Sequence, residues 1–138
     1  MSSLINKKNQ QVLAQNVITA RRFFSRVKGL MGKRDFPAST AFWIIPCTGG
    51  IHTLFMQFPL DVIFVDPYLR ITAVFKNIAP WKTVHPGLFS KTYSVFELKS
   101  PALRQNELRT GDQLYVGNIG GSTTKSKLQT GDQLYVGD

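Results

Sequence analysis

Six short runs rich in β-branched and aromatic residues follow one another along this chain, at 41–45, 51–58, 60–65, 70–75, 93–98 and 113–116. Proline, glycine and aspartate punctuate them, as in Asp66-Pro67 and His85-Pro86-Gly87. Runs of this length between such breakers read as β-strands. One segment has a different period. Over 18–31, Phe23, Phe24, Val27, Leu30 and Met31 share one face at helical spacing, while Arg22, Ser25 and Arg26 fall opposite. The spacing predicts a helix there, with Thr19 as its N-cap and Gly32 at its C-terminal end. Ahead of it, 12–17 reads as a strand paired with 4–6 across a polar turn at 8–10. Many short strands and one short amphipathic helix near the N-terminus predict a mainly β chain, an antiparallel β-sandwich or a small barrel.

Size and composition narrow the possibilities. A chain of 138 residues fits one domain. Only 18% of its residues are charged and 12% are aromatic, which excludes a disordered chain. The single cysteine excludes an internal disulfide, a four-cysteine zinc ribbon and a two-cysteine redox motif. The first residues contain no signal-peptide-like apolar stretch, and no run approaches the about 18 to 20 apolar residues of a membrane span, so a cytoplasmic protein is expected. The net charge is +9, and the first 34 residues carry Lys7, Lys8, Arg21, Arg22, Arg26, Lys28, Lys33 and Arg34 with no acidic residue. That asymmetry can attract nucleic acid or an anionic surface. A solvated basic face is the favoured reading, because no nucleic-acid motif accompanies the charge.

A repeat closes the chain: LRTGDQLYVG at 108–117 returns as LQTGDQLYVG at 128–137. Between them lies NIGGSTTKSK, of linker composition. Two copies cannot build a solenoid. The expected organisation is one β domain over 1–117, a linker over 118–127 and a peripheral duplicated tail over 128–138. Competition for the same sheet edge, or pairing with a neighbouring molecule, are the alternatives for that tail.

Candidate chemistry gathers in IIPCTGGIHTLFMQFPLD. Cys47 and His52 can form a nucleophile and base, with the amides around Gly49 and Gly50 as an anion nest. Against this, a histidine alternating with Leu54, Met56 and Phe58 reads as a core residue, and a lone cysteine as a small buried hydrophobe. A metal site would have to recruit Cys47, His52, His85 and Asp61 together, with no recognised ligand spacing, so no metal and no cofactor are expected. Asp61 heads an apolar strand and must be paired or hydrogen-bonded. Arg26, Arg34 and His52 are its candidate partners, and a structural tie is favoured over a general base. Trp81 and Lys82, before the turn at His85, can stack on a base or sugar ring, or the indole can cap an open sandwich end; the prolines nearby favour the cap.

Six blocks in order carry a family resemblance: QVLAQNV, RVKGLMGKR, IIPCTGGIHTLFMQFPLDVIFVD, APW, YSVFELK and GDQLYVG. The chain resembles the family known as domain of unknown function 192. The resemblance implies a mostly β fold with one short helix and no established activity. Ser100-Pro101 departs from the family's usual glycine after the glutamate-leucine pair, and the repeated tail lies outside the pattern. Three functional readings remain open. The favoured one is a non-enzymatic accessory module binding an unknown small ligand or protein around Cys47, Gly49, Gly50, His52, Asp61, Trp81 and His85. The others are a small enzyme or metal-binding protein using Cys47 and His52, and electrostatic binding of nucleic acid or anionic surfaces through the basic N-terminal third.

Overall fold

Successive residues of a strand point to opposite faces of its sheet, and in the central runs of this chain both sets are apolar. The computed structural model describes residues 2–20, 38–47, 49–52, 58–87, 90–103 and 106–118. Within them lie ten strands: β1 (Ser3–Asn6), β2 (Gln11–Ala14), β3 (Asn16–Ala20), β4 (Thr40–Ile44), β5 (Ile51–His52), β6 (Leu60–Val65), β7 (Ile71–Ile78), β8 (Thr83–Val84), β9 (Ser94–Lys99) and β10 (Leu114–Gly117). They form a five-stranded sheet in the order β3-β4-β9-β6-β7, a three-stranded sheet in the order β10-β1-β2, and a β5-β8 ribbon. Every pairing between these strands is antiparallel except β3 with β4, which is parallel from Asn16↔Thr40 to Ala20↔Ile44.

Alternation sorts the five-stranded sheet onto two cores. Trp43, Ile63, Val65, Phe96 and Leu98 face the first core, where Leu4, Leu13, Leu114 and Val116 of the three-stranded sheet meet them. Trp43 stacks on Phe96 with ring centroids 5.2 Å apart, and its indole N–H donates to Ser94 Oγ at 2.9 Å. Phe42, Ile44, Val62, Phe64 and Val95 face the second core, where Cys47, Ile51 and Phe58 join them. The arrangement is sandwich-like, with β4 and β6 buried along their whole length. The two main sheets are stitched at one corner. Gly111 N–H donates to Ile71 O at 2.7 Å, Ile71 N–H to Asp112 O at 2.9 Å, and Leu114 N–H to Leu69 O at 2.9 Å.

The mainly β sandwich matches the sequence expectation, and several boundaries differ. Thr19 is not a helix N-cap; it lies in β3 opposite Trp43. The β-branched trio Val17, Ile18 and Thr19 is stiff at χ1 and suits extended backbone next to β4. The rest of the expected helix, 21–31, lies outside the described residues. The single strand expected over 12–17 is two, broken at Gln15, whose N–H turns to Ser39 O at 2.9 Å. Of 51–58 only 51–52 is a described strand, and 53–57 lies outside the described residues. Thr83–Val84, expected within a loop, is a strand because Ile51–His52 supplies a partner.

Candidate functional site

The β5-β8 ribbon brings most of the candidate residues onto one short element. Ile51 pairs with Val84 and His52 with Thr83, and Ile51 plugs the ribbon into the second core. Gly50 precedes β5 and His85 follows β8, so the two positions face each other across the ribbon. A Cβ built on Gly50 would overlap the Val84 carbonyl oxygen and lie 3.3 Å from His85 Cδ2. Glycine is required there for close backbone approach. Gly49 has no such constraint, since nothing lies within 4 Å of its would-be Cβ.

Cys47 enters from the end of β4. Its N–H donates to Tyr93 O at 2.7 Å, and the residue is only 6% exposed in the second core. The His85 ring is exposed, and its Nδ1 accepts the Gly87 N–H at 3.0 Å. With Nδ1 as acceptor, the neutral ring carries its proton on Nε2 and can donate there. Trp81 precedes β8 with φ 65° and is 58% exposed. Such exposure does not fit an indole sealing the end of the sandwich.

Asp61 stands apart from the ribbon. It shares its strand face with Ile63 and Val65, toward the first core, whereas Cys47 and Ile51 belong to the second. It is 1% exposed, and its carboxylate accepts the Asn77 N–H on Oδ1 at 2.7 Å and the Leu103 N–H on Oδ2 at 2.8 Å. The register explains the first bond. Leu60 pairs with Ile78 and Val62 with Phe75, so Lys76 and Asn77 together oppose Asp61 in a β-bulge, with Asn77 at φ 58°. Asp61 therefore clamps a bulge and anchors the turn after β9 through two main-chain amides; of the partners expected for it, Arg26 and Arg34 lie outside the described residues. Its neighbourhood opens into a cavity of about 320 Å³ lined by Lys76, Asn77, Ser100 and Pro101.

Sequence reading passed over Glu97. In β9 this residue is 3% exposed, between Phe42 of β4 and Val62 of β6. Burying a bare carboxylate costs several kcal/mol, so a carboxylate in that place is paired or hydrogen-bonded. In YSVFELK it looks like the solvent-facing alternate of a half-buried strand, and the only signal against that is the apolar character of both neighbouring strands. Asp66 is structural in a simpler way: Oδ1 accepts the N–H groups of Tyr68 (2.8 Å) and Arg70 (2.9 Å), closing the turn before β7. Among the described residues no three of His, Cys, Asp and Glu come together in a way that could hold a metal ion. Of the basic N-terminal residues, Lys7 and Lys8 lie at the β1-β2 turn, with Lys8 Nζ 3.4 Å from Asp112, and the other six lie outside the described residues.

The model of the family described as Uncharacterized ACR, domain of unknown function 192, matches residues 4–116. The chain belongs to this family. It is a family of unknown function, and its match ends with β10, before the second copy of the repeat. A crystal structure of a protein of unknown function from Novosphingobium aromaticivorans DSM 12444 is similar, with a TM-score of 0.66 and 19% identity over 82% of this chain and 81% of that one. A second, from Sinorhizobium meliloti 1021 and assigned provisionally as a transcription regulator, has a TM-score of 0.65 and 18% identity over 82% of this chain and 89% of that one. At these identities the likeness shows the shared fold. No curated protein matches the chain.

Proposed function

We propose that residues 1–117 form a non-enzymatic binding module that takes a small ligand or a protein segment on the β5-β8 ribbon. Trp81 is its anchor, His85 Nε2 its hydrogen-bond donor, and the Gly49-Gly50 turn its floor. The supporting observation is Trp81 itself, an indole 58% exposed beside a two-stranded ribbon that is seated in the core through Ile51. Covering that much indole removes on the order of 140 Å² from water, worth about 3 kcal/mol, or roughly a hundredfold in affinity. A nucleophilic role for Cys47 finds less support, because a thiol 6% exposed lacks the access that a reactive cysteine needs. Asp61 belongs to the scaffold in this reading. No helix among the described residues is long and apolar enough to cross a membrane, and the proposed module works in the cytoplasm.

The test is comparative capture by immobilised wild-type chain and Trp81→Ala, each with its melting temperature recorded. The proposal expects ligands held by the wild type and lost by Trp81→Ala at unchanged melting temperature. Identical capture by both would overturn it. Capture that weakens steeply with salt, as counterion release demands, would favour nucleic-acid binding instead.

A further inference from the structure

The slot that β10 fills is specified by few interactions, and the chain contains a second segment able to make all of them. β10 pairs antiparallel with β1 through Leu114↔Asn6, Tyr115↔Ile5, Val116↔Leu4 and Gly117↔Ser3. Leu114 is fully buried in the first core, where Val116 joins it. Gly111 enters the corner with φ 95°, a conformation that favours glycine. Asp112 Oδ2 accepts the Arg109 N–H at 2.9 Å, Gln113 Nε2 donates to Tyr68 O at 2.6 Å, and Tyr115 Oη donates to Gln10 Oε1 at 3.0 Å.

Twenty residues later each of these side chains recurs in order: Gly131, Asp132, Gln133, Leu134, Tyr135, Val136 and Gly137. The one difference between the two ten-residue copies is Arg109 against Gln129. At that position the slot uses the backbone N–H, which either residue supplies. Local sequence therefore cannot discriminate between the copies, and only chain connectivity ranks them.

We propose that 131–137 is an alternative occupant of the β10 slot in the same chain, giving the C-terminal strand two registers twenty residues apart. With the second copy seated, 108–127 leaves the fold beside Glu107 and returns at Leu128 as a closed loop. With the first copy seated, no such loop has to close. Closing a loop of about twenty residues disfavours the second register by roughly a hundredfold, because closure entropy grows as the three-halves power of length. The duplicated segment is thus peripheral in the dominant state and a spare strand when β10 is damaged.

Unfolding of four full-length chains, carrying no substitution, Leu114→Asp, Leu134→Asp or both, tests this. A carboxylate in the fully buried Leu114 position lowers the folding equilibrium constant on the order of 10⁴-fold when no alternative strand exists. The proposal expects Leu134→Asp to behave as wild type, Leu114→Asp to lose only roughly a hundredfold through the loop, and the double variant to show the full loss. Hydrogen exchange on Leu114→Asp should show protection at 134–137 in place of 114–117. Equal destabilisation of Leu114→Asp and the double variant, including failure of both to fold, would overturn the proposal. A folded Leu114→Asp that is dimeric would also overturn it, by assigning the spare strand to a second molecule.

Discussion

Asp61→Ala separates a scaffold carboxylate from a functional one. In the native fold two main-chain N–H groups, those of Asn77 and Leu103, end on this carboxylate at 2.7 and 2.8 Å. Truncation leaves both donors without an acceptor, and an unsatisfied buried donor costs about 1–3 kcal/mol. The Leu103 bond is buried and takes the upper part of that range, while the partly buried Asn77 amide can reach water and takes the lower. The sum is about 3–4 kcal/mol, a large share of the about 5–15 kcal/mol that holds a domain together. For a chain near this length it corresponds to a fall of about 10 °C in Tm. Asp61→Asn keeps the shape and one acceptor but turns an amide N–H₂ toward the other donor, so it should cost about 1–3 kcal/mol. Urea unfolding followed by Trp43 fluorescence measures both, with an unchanged m-value showing that the unfolded state is not the cause. A loss below about 1 kcal/mol for Asp61→Ala would refute the clamp.

Three further outcomes follow from the same geometry. Gly50→Ala should destabilise by about 1–3 kcal/mol, because its Cβ meets the Val84 carbonyl, whereas Gly49→Ala should stay within about 0.5 kcal/mol; paired thermal melts decide. Cys47 should react with a disulfide reagent only as the fold opens, so its labelling rate should rise with urea; complete labelling within seconds under native conditions near neutral pH would contradict its burial. Burial pushes the Tyr115 phenol above its ordinary value of 10.0. The folded state thus holds this proton more tightly than the unfolded chain does, so the contribution is complete below about pH 10 and is lost as pH rises through the folded value. Unfolding free energies measured from pH 8 to 11 should fall at the alkaline end, and Tyr115→Phe should flatten that fall.

What was legible in the sequence follows from what each signal depends on. The run over 60–65 is β6 residue for residue, because a short stretch between Pro59 and Asp66-Pro67 that is apolar except for Asp61 has no helical length and no other place to go. That Asp61 must be hydrogen-bonded was equally legible, since no other state of a buried carboxylate is cheap. Its partners were not, because a backbone N–H leaves no trace in a side-chain pattern and these two come from positions 77 and 103. β8 is two residues long and exists only through pairing with β5, so no periodicity could announce it. The outward indole of Trp81 depends on a positive φ after Pro80, which the local prolines disguise as a packed loop. Glu97 was missed because strand alternation reports two faces but not whether both are covered.

The exposure of Trp81 is the foundation of the proposed binding surface, and acrylamide quenching measures it directly. The chain has two tryptophans, Trp43 at 2% exposure and Trp81 at 58%. Two emitting populations are expected, one quenched readily and one protected, with the accessible one abolished in Trp81→Phe. A single protected population, unchanged in kind by Trp81→Phe, would mean that the indole is packed against the fold and that the ribbon has no anchor to offer a partner.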